Sequence, residues 1–129
     1  MSEFDEALLR AQRYLARFGG KTLAHLIDGK SVAGSGGTFD TLSPVDNTLL
    51  AKVARGTSAE IDQAAKAAKR AFATWRKVSG EKRREIMHKI ADAIVARADE
   101  IALVECMDTG QPIRYMSKAA LRGAENFRF

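Results

Sequence analysis

The chain has 129 residues, of which 46% are hydrophobic and 29% are charged, and this composition is typical of one soluble globular domain. It contains no apolar run of roughly eighteen residues, which argues against a membrane-spanning helix. Its acidic start, MSEFDE, is unlike a signal peptide, and a single cysteine cannot form an internal disulfide, so we expect a cytoplasmic protein. The net charge is +5, but the basic residues are interleaved with acidic ones and not with aromatic ones. We therefore expect neither nucleic acid nor a membrane as a partner.

The first predicted element is an amphipathic helix over residues 3–17, closed by Gly19-Gly20. A hairpin follows over residues 25–32, because Asp28-Gly29 supplies the positive φ angles of a two-residue turn. The GSGG segment at 34–37 leads into a predicted strand rather than a helix, so it is not a dinucleotide-binding fingerprint.

Two short strands are predicted next, over residues 38–42 and 48–54. The Ser43-Pro44 dipeptide separates them, because proline lacks the N–H group that a strand ladder needs.

From Thr57 onwards the hydrophobic period changes from two to 3.6, which predicts helices. Thr57 and Glu60 have the spacing of a capping box. The helix that they start carries an apolar stripe with many alanines, which indicates close packing against another element; the stripe comprises Ile61, Ala64, Ala65, Ala68, Phe72 and Trp75.

A second start signal, Ser79-Gly80-Glu81, opens a further helical region. Asp99 is predicted to cap a new segment within it, and the segment ends at Asp108-Thr109-Gly110. A last helix is predicted from near Tyr115 to the final residue, Phe129. Because no polar tail follows, the simplest expectation is that the chain is a fragment of something longer.

Four residues are candidates for chemistry. A nucleophilic role for Cys106 requires a base, but His88 lies five helical turns upstream, or about 27 Å along a straight helix. We therefore interpret Cys106 as a packing residue, and His25 and His88 as isolated histidines. Asp108 is different, because a carboxylate at a helix C-terminus is unfavourable unless a positive charge compensates it. Asp before Thr-Gly is also ordinary turn chemistry, so both interpretations stay open.

The chain resembles the N-terminal part of aldehyde dehydrogenases from His25 to Phe129. The resemblance rests on LIDGKSV, TFDTLSPVDNTLLAKVARGTSAEIDQAAKAAKRAF, Trp75, RREIMHKIADAI and ECMDTGQPI, in this order. The leading segment RAQRYLARFGGKTLAHLIDGKSVAGS and the ending RGAENFRF look most like the branch acting on hydroxymuconic and 5-carboxymethyl-2-hydroxymuconate semialdehydes.

This resemblance implies an α/β fold in which an N-terminal helix, a β-hairpin and short strands precede helices of the outer layer of a coenzyme-binding domain. Residues 1–22 would be an N-terminal helical extension and residues 23–129 the truncated N-terminal portion of that domain. The central sheet would come later, so Phe72, Trp75 and the isoleucines Ile86, Ile90 and Ile94 would have lost part of their cover.

By resemblance, the full-length enzyme oxidises a small-molecule aldehyde to an acid with NAD or NADP, and forms a homodimer or homotetramer. The chain itself lacks the family's Gly-Gln-x-Cys nucleophile and Glu-Leu-Gly-Gly base motifs, since Gly110-Gln111 is followed by Pro112-Ile113. We therefore expect no catalytic or cofactor-binding residues here. We expect the isolated chain to be partly molten, to aggregate or to self-associate, and to be inactive.

The resemblance also implies a monovalent cation site for K⁺ or Na⁺. Its ligands would be the Asp108 carboxylate and the main-chain carbonyls of Thr41 and Leu42, with a further carbonyl from outside the chain. A different class of function, a stand-alone helical interaction domain without catalytic activity, is the alternative.

Overall fold

The computed structural model describes residues 2–129. The helices are α1 (Glu3–Ala16), α2 (Ser58–Trp75), α3 (Gly80–Ala96), α4 (Ala98–Thr109), α5 (Ile113–Met116) and α6 (Ala119–Arg128). The strands are β1 (Thr22–Leu23), β2 (His25–Ile27), β3 (Lys30–Val32), β4 (Thr38–Leu42) and β5 (Leu49–Ala54). No helix within residues 2–129 is both long enough and apolar enough to cross a membrane. The chain divides into two compact units, a helical unit (residues 2–17, Ser43–Thr48 and Ser79–Phe129) and a strand unit (Phe18–Leu42 and Leu49–Val78).

In the helical unit, α1 packs against α4 and polar side chains join the two helices. The Tyr14 hydroxyl donates to Asp99 over 3.1 Å, the Arg10 Nε lies 3.4 Å from the same carboxylate, and Arg17 pairs with Glu100. The start of α1 is held by a capping box between Ser2 and its N3 residue, which leaves fewer helix-terminal N–H groups without a partner.

The second helical pair, α3 and α6, is built around small residues. Ala91 and Ala124 are both 0% exposed, and Ala120 is 4% exposed. Alanine side chains let two helix backbones approach closely, and the Arg128 guanidinium joins the pair by donating to Asp92 over 2.7 Å. The buried residues of this unit are mostly alanines, so its core contains few large side chains.

The strand unit contains a three-stranded sheet in the order β1-β5-β4, with β1 parallel and β4 antiparallel to β5. The separate β2–β3 hairpin turns at Asp28 and Gly29, whose φ angles are +56° and +72°. Helix α2 contacts β2, and Arg70 on α2 donates to the Asp28 carboxylate at 3.2 Å. The predicted α/β class, the hairpin and the strand ended by Ser43-Pro44 are confirmed.

The helix starts are also largely as predicted. The Thr57–Glu60 capping box opens α2 and Ser79 caps α3. The prediction that Asp99 caps a new segment was wrong, because α4 begins at Ala98 and places Asp99 in its first turn, where a carboxylate favours the positive end of the helix dipole. The predicted last helix is interrupted at Ser117-Lys118, where the Lys118 N–H makes only a long 3.4 Å bond to the Tyr115 carbonyl.

The predicted apolar stripe of α2 is largely uncovered. Ile61 is 70% exposed and Phe72 is 59% exposed, whereas the buried residues of the helix are Glu60 and Ala67. On α3, Ile90 is exposed, while Ile86 and Ile94 are half-buried. Trp75 is half-buried as well, so the expected partial loss of cover is largest at Phe72 and Ile90.

Candidate functional site

Asp108 lies in the last turn of α4 and is exposed. The turn after the helix is held by its neighbour: Thr109 Oγ1 donates to the Glu105 carbonyl at 2.7 Å and accepts from the Gln111 N–H at 3.3 Å. Within residues 2–129 the Asp108 carboxylate makes no hydrogen bond or ion pair. The side-chain hydrogen bonds that stabilise this turn are therefore made by Thr109 and not by Asp108. Thr109 was not among the candidate residues predicted from the sequence.

The C-terminus of α4 lies against the Ser-Pro turn within the helical unit. Gly110 adopts the left-handed conformation, with φ of +73°, and its N–H donates to the Cys106 carbonyl at 2.9 Å. A Cβ atom added to Gly110 would lie 3.0 Å from Pro44 Cγ. Only glycine therefore combines this backbone angle with this approach.

The Ser-Pro turn itself is closed by main-chain hydrogen bonds. The Ser43 N–H donates to the Thr48 carbonyl at 2.8 Å, and the Asn47 N–H donates to the Ser43 carbonyl at 2.9 Å. Asp46 accepts from both the N–H and the hydroxyl of Thr48, and these hydrogen bonds, the hydroxyl's first, lower the pKa of its carboxyl group. The Asp46 carboxylate therefore stabilises the Ser-Pro turn.

Thr41 and Leu42, the other predicted cation ligands, are consecutive residues at the end of β4 in the strand unit. Thr41 is paired with Ala51 and Leu42 with Leu49, so the register shifts between them. Such a shift disrupts the ladder locally and frees main-chain groups from regular pairing. Residues 2–129 contain no group of three or more His, Cys, Asp or Glu side chains that could hold a metal ion. A cation site here would depend on main-chain carbonyls.

The cysteine is placed as a packing residue. Cys106 is half-buried in an apolar groove of about 190 Å³ between α1, α4 and α5, together with Phe4, Leu8 and Met107. Burial, and then the neighbouring Glu105 carboxylate, raise the pKa of its thiol, which disfavours the thiolate that a nucleophile requires. His88 is exposed on α3, and no hydrogen bond joins it to Cys106 within residues 2–129.

The most interconnected polar cluster of the strand unit joins the GSGG corner to the start of α2. Glu60 is 8% exposed and accepts from the Thr57 N–H at 2.6 Å, from the Ser35 N–H at 3.2 Å and from the Ser35 hydroxyl at 3.0 Å. These hydrogen bonds, first from Thr57 and then from Ser35, lower the pKa of Glu60 to about 2. The sequence predicted only the Thr57–Glu60 part of this cluster, because Ser35 is 25 residues away along the chain.

This cluster decides whether the glycine-rich corner fits a dinucleotide. A phosphate cradle needs free N–H groups at the start of a helix. Here the Ser35 N–H is donated to a carboxylate, whose negative charge would repel phosphate, and the corner continues into β4. Gly34 allows close packing, because a Cβ there would clash with the Arg55 carbonyl oxygen. The glycine-rich corner at residues 34–37 therefore does not fit the phosphates of a nicotinamide cofactor.

Comparison with known proteins shows which family has this sequence pattern and this fold. The sequence model of the aldehyde dehydrogenase family matches residues 31–129. The chain is 40% identical over 111 residues to 2-hydroxymuconic semialdehyde dehydrogenase of Pseudomonas sp. strain CF600. The aligned region covers 84% of this chain and 23% of the relative.

Two crystal structures have the same fold over most of the chain. HpcC from Thermus thermophilus is 36% identical with a TM-score of 0.89, covering 95% of this chain and 24% of HpcC. PnpE in complex with nicotinamide adenine dinucleotide is 37% identical with a TM-score of 0.78, covering 81% of this chain and 22% of PnpE. The chain spans about a fifth of the length of the curated relatives it matches. On both its sequence and its fold, the chain belongs to the aldehyde dehydrogenase family.

Proposed function

We propose that this chain is the N-terminal part of an NAD-dependent aldehyde dehydrogenase that oxidises a muconic-type semialdehyde to the acid. The observation that carries the proposal is the agreement of the fold with HpcC over 95% of the chain, at a TM-score of 0.89. The name of the Pseudomonas relative supports the semialdehyde, and the PnpE complex supports NAD as a cofactor. Residues 23–129 would belong to the coenzyme-binding domain and residues 1–22 would form a helical extension.

In this proposal, the residues that carry out the oxidation lie outside the 129 residues of the chain. Cys106 lies in an apolar groove where burial raises the pKa of its thiol, and the glycine-rich corner does not fit phosphate. The role of residues 2–129 is then structural: they present helices and short strands to the remainder of an enzyme that supplies the nucleophile, the base and the cofactor site. The exposed apolar side chains of Ile61 and Phe72 on α2 fit this role better than that of a stand-alone interaction domain.

The test uses a hybrid enzyme, in which this chain is joined in frame to the part of the Pseudomonas relative that follows the matched region. We expect the hybrid enzyme to form NADH when 2-hydroxymuconic semialdehyde is added, and the 129-residue chain alone to form none. A folded hybrid enzyme that oxidises no aldehyde would refute the proposed function. Aldehyde-dependent NADH formation by the chain alone would refute the assignment of the chemistry to the remainder.

We also propose that Asp108 binds K⁺ or Na⁺ in the complete enzyme, together with the main-chain carbonyls of Thr41 and Leu42. Three observations support this proposal. The Asp108 carboxylate has no partner within residues 2–129, it lies at the negative end of α4, and the ladder is irregular at Thr41 and Leu42. A hard cation bound by oxygen ligands would offset that negative charge.

The cation proposal is tested with Asp108→Ala and with Glu105→Ala, which removes another negative charge from α4 without altering the proposed ligands. Melting temperatures of the hybrid enzyme are compared in potassium, sodium and a bulky organic cation at equal ionic strength. We expect Asp108→Ala to abolish the dependence on the cation and Glu105→Ala to retain it. Equal dependence in the two variants would show that Asp108 is not a ligand.

Two further parts of the proposal concern the complete protein. We propose that it is a homodimer or homotetramer in the cytoplasm. Sedimentation of the hybrid enzyme tests the assembly, and a monomer at micromolar concentration would contradict it.

A further inference from the structure

The side chain of His25 ends in a nitrogen atom that is buried without a hydrogen-bond partner. Within residues 2–129, the Nε2 atom of His25 neither donates nor accepts a hydrogen bond. The residue as a whole is half-buried, so the covered part of the side chain is the tip of the imidazole ring. Buried polar atoms in folded proteins nearly always have a partner, so this nitrogen is an exception that requires an explanation.

Two glycines cover the tip of the ring. A Cβ atom added to Gly34 would lie 3.0 Å from His25 Nε2, and one added to Gly56 would lie 3.2 Å from the same nitrogen. His25 lies in β2, Gly34 opens the GSGG corner, and Gly56 lies just before α2. This contact of His25 with Gly34 and Gly56, here called the His25 junction, brings together three separate segments of the strand unit.

Main-chain hydrogen bonds hold two of these segments together beside the ring. The Gly36 N–H donates to the Arg55 carbonyl at 3.0 Å, and the Arg55 N–H donates to the Gly37 carbonyl at 2.9 Å. A movement of the ring that displaces Gly34 or Gly56 would therefore strain these two hydrogen bonds. Their N–H groups report whether the His25 junction is closed.

The buried carboxylate nearest to the His25 junction on α2 has its hydrogen bonds already assigned. The two oxygens of Glu60 accept four hydrogen bonds, all from Ser35 and Thr57. A protonated imidazole could bind Glu60 only by displacing one of these donors, and that would also rearrange the corner. The other charged residues of α2 are exposed.

The other segments around the ring provide no acceptor side chain. The residue of β3 that pairs with His25 is Val32, and Lys30 of the same strand lies at the far end of the hairpin. The exposed Arg55, whose guanidinium lies 5.7 Å from the centre of the Phe39 ring, adds a positive charge that opposes the attraction of Glu60. The GSGG corner has no charged residue.

We propose that the His25 junction is an acid-sensitive contact, which opens when His25 is protonated. Histidine is the side chain whose charge ordinarily changes between about pH 5 and 8. A neutral imidazole can leave Nε2 without a proton, whereas the charged form has an N–H group on both nitrogens. The buried N–H group would have no acceptor, and a buried charge without a partner is costly. The His25 junction therefore stabilises the strand unit above this pH range, and this stabilisation is lost as the pH falls through it.

The test compares His25→Gln with His88→Gln in the hybrid enzyme. Both variants make the same chemical change, but His88 is exposed on α3 in the helical unit. His25→Phe is a second variant, which keeps a ring against the two glycines and cannot be protonated. The measurement is amide hydrogen exchange of peptides covering residues 33–38 and 54–60 at about pH 7.5 and about pH 5.5, corrected for the intrinsic effect of pH on exchange.

We expect the wild type and His88→Gln to lose protection in these peptides by at least about fivefold at the lower pH. His25→Gln and His25→Phe should keep their protection within about twofold, because neither side chain takes up a proton. The result separates the charge of His25 from the shape of its ring.

Three results would overturn the proposal. The first is an equal loss of protection in the wild type and in His25→Gln. The second is no loss in the wild type, which would mean that Glu60 accepts the charged ring without opening the corner. The third is a lack of protection at about pH 7.5 in both His25 variants, because the shape of the imidazole would then hold the contact. The readout does not depend on aldehyde oxidation, so a folded but inactive hybrid enzyme would refute the proposed function alone.

Discussion

Replacing Gly110 by alanine is expected to destabilise the helical unit. Gly110 ends α4 with φ of +73°, and the added Cβ would lie 3.0 Å from Pro44 Cγ and 3.5 Å from Pro44 Cβ. A non-glycine residue held in the left-handed region costs about 1–3 kcal/mol. The contact with the proline ring adds to this cost, because either the ring or the end of α4 has to move by a few tenths of an ångström.

The matched control is Gly123→Ala in α6 of the same unit. Gly123 lies inside a helix, and a Cβ there would meet no atom within 4 Å. The same substitution should therefore stabilise the unit by about 0.5–1 kcal/mol, because alanine loses less backbone entropy on entering a helix. The two glycines thus give opposite signs for one chemical change.

The assay is urea unfolding of the hybrid enzyme with each variant and with the wild-type chain, followed by circular dichroism at one fixed protein concentration, because association makes stability depend on concentration. We expect the unfolding free energy of Gly110→Ala to fall by about 1–3 kcal/mol, and that of Gly123→Ala to rise. Equal or increased stability of Gly110→Ala would refute the left-handed cap and the close approach of Pro44.

Three other predictions concern single side chains. Because the pKa of Glu60 is lowered from 4.5 to about 2, its ionised form stabilises the fold above pH 4.5, and this stabilisation is lost as the pH falls towards 2. Glu60→Gln should therefore flatten the dependence of stability on pH in this interval, and an unchanged slope would contradict the cluster. Thr57→Ala should cost about 0.5–2 kcal/mol in thermal unfolding through loss of the α2 cap, whereas Ser58→Ala, one residue further on, should cost less than about 0.5 kcal/mol. Cys106 should react with iodoacetamide at about pH 8 more slowly in the folded chain than in the urea-unfolded chain, since burial raises the pKa of its thiol; equal rates would place it at the surface.

Local patterns in the sequence were sufficient where the physical cause is local. The capping box of α2 needs only Thr57 and Glu60, three residues apart, and the hairpin needs only Asp28-Gly29 in a two-residue turn. The end of α4 at Gly110 follows from the tolerance of glycine for positive φ. These predictions were confirmed because the groups that satisfy one another lie within one turn of chain.

Features that depend on distant residues were decided by the tertiary structure. The parallel pairing of Thr22 with Lys52 joins residues thirty positions apart, and β1 is too short to carry a hydrophobic pattern of its own. The hydrogen bonds between Ser35 and Glu60 likewise join the GSGG corner to the start of α2. They give this glycine-rich corner a structural role. The sequence pattern around each of these residues does not predict such contacts, because the partners lie far apart along the chain.

The two faces of α2 separate the two kinds of information. The sequence by itself determined that Ile61 and Phe72 share an apolar stripe, because the period of 3.6 residues is a property of the helix alone. The tertiary structure decided that Glu60 and Ala67 form the covered face of α2 and that Ile61 and Phe72 are exposed. The physical reason is that periodicity identifies which side chains gain by leaving water, whereas burial depends on which other surface is there to pack against them.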